Sequence, residues 1–406
     1  MRLPLPPLLA PLRGRNYALL WGGNTASLVG DQFQTVALAV LVLDLTGSAA
    51  ALGAVLGAQA APRAVLLLAG GVAADRFRPR TVMLAANALQ GVLVLALTAV
   101  LATGRLALWQ LFAYAVGSGA ALAFSIPAAR ALIPALVPTE RLRSANALNA
   151  LSTNLAGAVF APLAGAVVAR VGSLPAFALN AASFFAAAGT VQAIRVPGAA
   201  PGRPDGSPLR QLREGVAAAH ADRVVWVAIL ATAIFSLGIG GATRVGLPAL
   251  ATLALDGGTQ GIGVLYGAIG AGAVLGNVLT GSLTRLPRQG LVAGATLLAW
   301  GLTLALAGAA PSVAAAVPVL ACVGLLQGVC GNTFVSLVQG RAPAAAQGRV
   351  MSLLFLGVNG LGPVSLAAGG LLGAAVGPRA LIVGGGVVVA LAGAYALAQR
   401  EFREAP

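Results

Sequence analysis

Two residues of opposite charge sit in chain segments that are otherwise apolar. Asp31 lies in "LVGDQFQTVAL", residues 28–38, and Arg63 in "GAQAAPRAVLLLAG", residues 57–70. A carboxylate in such surroundings can take up and release a proton or hold a cation. A guanidinium beside it favours the ionised form, and that help is lost when the two separate. On a helix, Asn24, Asp31 and Gln34 share one face, being seven and three residues apart, and Gln59 and Arg63, four apart, share another. The residues allow two readings. In one, Asp31 with Arg63, Asn24, Gln34 and Gln59 forms a polar site for protons or a cationic substrate. In the other, Asp31 and Arg63 are a permanent ion pair that orients two helices.

The elements that must position them follow from composition. The chain has 406 residues, is 58% hydrophobic and 9% charged, and has a mean hydropathy of +0.91. A soluble domain carries about 25% charged residues, so the expected fold is all-α and polytopic, with apolar helices in lipid. Apolar runs between charged or Pro/Gly-rich breaks predict twelve spans, at 17–43, 49–74, 81–102, 107–129, 145–169, 174–194, 224–250, 259–283, 290–309, 312–338, 350–375 and 379–399. Asp31 and Arg63 each fall 14 residues into the first and second spans, so both sit about 21 Å along a helix and near the midplane. A charge at that depth costs about 2.5–3.5 kcal/mol. Each therefore needs a protein or water partner.

Charge placement orients the spans. All 25 basic residues are arginine; twenty fall on one side, three (Arg105, Arg170, Arg379) on the other, and Arg63 and Arg244 lie within spans. Basic residues favour the cytoplasmic side, so both termini are expected in the cytoplasm. The net charge of +15 is thereby explained by topology and gives no reason to expect nucleic acid. The longest polar interval divides the chain into two six-span halves, 1–194 and 224–406, joined by a cytoplasmic linker, 195–223. Ser207 and Pro208 would start an amphipathic helix there, carrying the sole histidine, His220, as a solvated side chain. Two six-span halves are the layout of secondary transporters.

Other chemistries find no support. The glycine runs lack the Gly-Lys-Ser/Thr ending of a phosphate loop, and no HExxH, Ser/His or Cys/His arrangement marks an intramembrane enzyme. No cofactor or metal is expected. Cys322 and Cys330, eight apart on one helix, are about 12 Å from each other and too far to bridge. The N-terminal "MRLPLPPLLAPLRGRN" does not read as a removable signal. Asn154, Tyr266, Gln327, Asn332 and Asn359 are further polar residues that could face a cavity, and Arg244 could close an outer gate or snorkel. Spans 3, 6, 9 and 12 carry fewer polar groups and are expected at the periphery.

The loop "GGVAADRFRPRTVML" between spans 2 and 3 resembles the signature loop of the major facilitator superfamily, with Gly71, Asp75, Arg76 and Arg80 in register. Arg78 replaces its second glycine and Pro79 its next basic residue. The stretches "RNYALLWGGNTASLVGDQFQTVAL" and "IPALVPTERLRSANALNALSTNLAGAVFAPLAGAVV" look like the prokaryotic efflux branch of macrolide, multidrug and enterobactin exporters. "GAVFAPLAGA" is similar to the antiporter motif of span 5, matching at Gly157, Pro162 and Gly165. The span 4 motif of drug exporters departs: Ala113 stands in place of its arginine and Val116 in place of its glutamine. The resemblance implies an efflux carrier in the bacterial inner membrane, working as a monomer on small amphipathic or cationic compounds. Proton antiport, a cavity lined by span 1, and a cytoplasmic latch built from Asp75, its neighbouring arginines and Arg130 are implied with it. Export of one siderophore, lipid or other metabolite is the alternative, and a non-transporting membrane receptor or scaffold is a further one that leaves Asp31 without a role.

Overall fold

Backbone amides in lipid have only each other as partners, so an apolar chain that crosses a bilayer must coil into helices or close a barrel. The computed structural model describes residues 7–195, 208–282, 288–343 and 347–405, and among them there is no strand. Eleven helical stretches are long and apolar enough to span a membrane. The last of these, Gln347–Ala398, is 52 residues long. It contains a break at Gly377, whose φ of +81° lies in the left-handed region that costs a residue with a Cβ. Pro378 follows and restarts the helix from its first turn. The stretch is thus two spans, which agrees with the twelve expected.

The helices are α1 (Arg15–Thr46), α2 (Ala49–Arg76), α3 (Pro79–Ala102) and α4 (Leu108–Leu136). Helix α5 runs through Leu142–Leu155, Ala156–Phe160 and Ala161–Val171, and α6 is Ser173–Ala193. A short helix, α7 (Pro208–Ala221), precedes α8, which runs through Arg223–Gly241, Ala242–Gly246 and Leu247–Leu253. Then come α9 (Gly258–Ser282), α10 (Gln289–Gly308), α11 (Val313–Arg341), α12 (Gln347–Gly360 with 362–376) and α13 (378–398). Helix α7 begins at Pro208 as expected; Ser207 lies outside the described residues. Helix α4 runs past its expected end in spite of Pro127 and Pro134 inside it, since in a membrane helix neighbouring groups take up the bonds a proline frees. Arg130 therefore sits within α4 rather than at its end.

Packing groups the chain into two compact units, one of residues 1–41 with 58–205 and the other of 42–57 with 206–406. In the first, α3 lies between α4 and α6. Tyr17 and Trp21 on α1 donate to the Ala145 carbonyl (2.9 Å) and the Ser152 hydroxyl (2.9 Å) of α5. Asn16 donates to the carbonyl of Arg195 (2.7 Å) and accepts from its N–H (3.3 Å), tying the end of α6 to the start of α1. In the second unit, α9 packs on α11, α10 on α11 and α13, and α8 on the Gly362–Ala398 helix. Ser365 Oγ donates to the Leu237 carbonyl (2.6 Å) and accepts from Gly241 N–H (3.0 Å), so one hydroxyl stitches that seam. Close backbone approach with small residues is the usual adhesive between helices in lipid.

Candidate functional site

The interior of the first unit holds a cluster of hydrogen-bonding side chains on four helices. Asp31 on α1 and Arg63 on α2 are both half-buried, and both are engaged in interactions. Gln34, one turn beyond Asp31, is buried and accepts a short hydrogen bond from the Asn180 amide of α6. Ser183 donates back to Asn180, to its carbonyl at 2.8 Å and its side-chain oxygen at 3.0 Å. Gln59, one turn before Arg63, donates from Nε2 to Ser118 Oγ of α4 at 3.1 Å. The α2–α4 crossing is tight, since any Cβ at Gly119 would collide with the Gln59 backbone carbonyl. That position tolerates only glycine.

Beside Ser118, one turn earlier on α4, is Tyr114, which is 4% exposed. Its hydroxyl is closed off from solvent and makes no hydrogen bond of good geometry. Ser118 and Gln34 flank it. Sequence reasoning passed over Tyr114, Ser118, Asn180 and Ser183. Gln34, expected in the polar site with Asp31, meets Asn180 in the α1–α6 contact. Spans 3 and 6, expected to be poor in polar groups, carry buried Asn87 and Gln90 on α3 and Asn180 and Ser183 on α6. Asn24 is half-buried on α1.

The signature loop resolves in part. Arg80 donates from Nε to the Val191 carbonyl (3.1 Å) and from Nη2 to the Gln192 carbonyl. It thus caps the last turn of α6, where unpaired carbonyls favour a cation. Arg76 is exposed at the end of α2, and a side chain at Gly71 would meet open space. The side chain of Asp75 lies outside the described residues, as does that of Asn359. Arg130 is exposed and engaged in an interaction.

Two spans contain a widened π turn, Ala156–Phe160 in α5 and Ala242–Gly246 in α8. Each is followed two residues later by a proline, Pro162 and Pro248. Proline has no N–H, and its ring displaces the carbonyl four residues back, so the ladder slips by one residue there. The antiporter-like residues thus lie in and just after a π turn, with Gly157 inside it and Gly165 buried beyond Pro162. Arg244, in the second π turn, is exposed. Tyr266 donates to the adjacent Thr243 carbonyl at 3.2 Å. Asn332 donates to Asn277 at 2.9 Å, linking α11 to α9; Gln327 is exposed and Asn154 half-buried. Among the described residues no group of three His, Cys, Asp or Glu side chains could hold a metal.

Twelve apolar helices with a polar cluster in the interior of the first unit describe a membrane transporter of the major facilitator type, and solved structures agree. A POT family transporter in complex with a thioalcohol-conjugated peptide matches with a TM-score of 0.73 at 15% identity, over 95% of this chain and 96% of that one. A bacterial homologue of the human lysosomal transporter Spinster, inward-facing and unoccupied, matches with a TM-score of 0.69 at 17% identity, over 97% and 98%. The chain belongs to the transmembrane secretion effector family of that superfamily, whose profile matches residues 7–402. Among curated relatives, the enterobactin exporter EntS of Escherichia coli O1:K1 is 30% identical over 320 residues, 76% of this chain and 72% of the relative. These relatives are transporters, and the protein is a transporter rather than an enzyme.

Proposed function

We propose that the protein is an efflux carrier of the bacterial cytoplasmic membrane, exporting small amphipathic or cationic compounds by alternating access in exchange for protons. The observation that supports this reading is Asp31, a half-buried carboxylate midway along α1, one turn before Gln34, which accepts a hydrogen bond from Asn180 of α6. A group so placed can be ionised in one state and protonated in the other at modest cost, because its neighbours replace water. Six-span halves, 1–194 and 224–406, rock as a monomer about the 195–223 linker, with both termini in the cytoplasm. Arg63 tunes Asp31. Gly71, Asp75, Arg76, Arg80 and Arg130 form the cytoplasmic latch, and the π turn before Pro162 gives α5 the local freedom that rocking requires.

The test is gradient-driven export by the purified protein in liposomes. Asp31→Asn should fold and bind substrate yet lose export driven by a proton gradient; normal pumping by this variant sinks the coupling role. If Asp31 and Arg63 only hold each other, Asp31→Asn combined with Arg63→Gln should restore expression and activity together.

A second reading is favoured by one finding, the match to the enterobactin exporter. Under it the carrier is dedicated to a single siderophore or other metabolite. A panel of compounds assayed in cells overexpressing the chain separates the two: many unrelated cations moved supports the first, one metabolite moved supports the second.

A further inference from the structure

Helix α10 starts without the usual means of satisfying its first amides. A helix leaves its first four N–H groups without partners of its own, and a Ser, Thr, Asp or Asn side chain at the N-cap commonly takes one. Here the N-cap is Arg288, held at a φ of +52°, and its side chain makes no capping bond. The acceptor comes from far along the chain. Gly290 N–H donates to the Ala405 carbonyl at 3.2 Å. Residues 399–405 leave the end of α13, make a single helical turn at Arg400–Arg403, and cross the start of α10. A Cβ at Gly290 would collide with the Phe402 carbonyl, so this crossing is a backbone contact that only glycine allows.

Two more contacts hold the segment. Phe402 is fully buried, and its ring lies 5.9 Å from that of Phe334 on α11, centroid to centroid. Gln399 Oε1 accepts from Nη2 of Arg223, the first residue of α8, at 3.1 Å. We propose that residues 399–405 are a clasp that fixes the starts of α8 and α10 and the last turns of α11 to the end of α13. Phe402 is its anchor, and the Ala405 carbonyl is the cap of α10. The consequence is mechanical: α8 cannot tilt at this end without carrying α10 and α13 with it.

The first half joins the matching ends by other chemistry. Asn16, at the start of α1, exchanges hydrogen bonds with Arg195 just past α6, and Arg80, at the start of α3, donates to the last carbonyls of α6. In each half the residues closing the sixth span are bonded to the starts of the first and third spans. An arginine makes the join to the third span in the first half; a backbone carbonyl and an aromatic anchor make it in the second. The clasp depends neither on proton coupling nor on what is carried.

The experiment is hydrogen exchange of the full chain in lipid nanodiscs, read by mass spectrometry. In the wild type, Gly290, Arg403 and Glu404 should be protected, since their amides donate to the Ala405, Gln399 and Arg400 carbonyls. Exchange of 400–405 at the rate of an unstructured peptide overturns the proposal. Phe402→Ala removes the anchor, and Gly290→Ala displaces the segment while leaving its sequence intact. In both, the starts of α8 and α10 should exchange about fivefold faster, as for the loss of one helix cap. For Gly290→Ala this runs against helix propensity, which favours alanine. The opposite ends of the same helices, Leu247–Leu253 and 302–308, should keep wild-type rates. Arg400→Ala, which removes only the exposed pair with Glu404, should change neither. Wild-type rates at the start of α10 in both variants overturn the clasp. An equal rise along the whole of α8 and α10 overturns it too, because Phe402 is then an ordinary packing residue. If neither variant folds, the wild-type protection pattern decides alone.

Discussion

At the scale of single residues, the site is a set of polar atoms that satisfy one another away from water. Asn180 is fully buried and donates across the α1–α6 contact to Gln34. Asn180→Leu would strand the Gln34 oxygen and should cost about 1–3 kcal/mol, read as a lowered unfolding midpoint in detergent. Adding Gln34→Leu should recover part of the loss, because two apolar partners leave nothing unsatisfied. If the double variant is as unstable as the single one, the pair is not the cause. Asp31 was legible in the sequence because a charge in an apolar run is conspicuous. Tyr114, Ser118 and Asn180 were not, since each is an ordinary residue of a membrane helix until its neighbours across the interface are known.

Elements carry a second kind of control, in how their ends are fixed. Asp222 caps α8 through Oδ1, which accepts from Val224 N–H (2.8 Å) and Val225 N–H (3.2 Å), while Oδ2 accepts from Arg341 Nε at 2.9 Å. One side chain therefore ties the start of α8 to the end of α11. Asp222→Ala should cost about 0.5–2 kcal/mol for the cap. The Arg341 pair, a quarter to a third exposed, should add less than about 1 kcal/mol. Asp222→Asn keeps the cap and loses the charge, so most of the stability should remain; equal losses in the two thermal unfolding curves would mean that the ion pair dominates. Glu214 on α7 pairs similarly with Arg349 at the start of α12, at 2.8 Å. His220, exposed on α7, stacks on Trp226 with ring centroids 5.1 Å apart.

For the whole molecule, the arginine bias makes a direct claim about topology. With twenty arginines on one side against three on the other, reporter fusions at the C-terminus and in the 195–223 linker should both report the cytoplasm. A fusion after Arg105, at the opposite ends of the spans, should report the outside. A C-terminus found outside would mean an odd number of spans and would undo the depth assignment of Asp31 and Arg63 as well.

Hydropathy and charge by themselves determined that the chain is an all-α membrane protein and how many apolar spans it has. Those properties are set by each segment's own exchange between water and lipid, which needs no knowledge of its neighbours. The signature loop added the superfamily, and one of its arginines, Arg80, makes a specific contact with the end of α6. Rotation of each helix about its axis was decided only by tertiary packing. In lipid no hydrophobic gradient separates one helix face from another, so the turn of Gln34 toward Asn180 and of Gln59 toward Ser118 depended on close backbone contacts such as the one at Gly119.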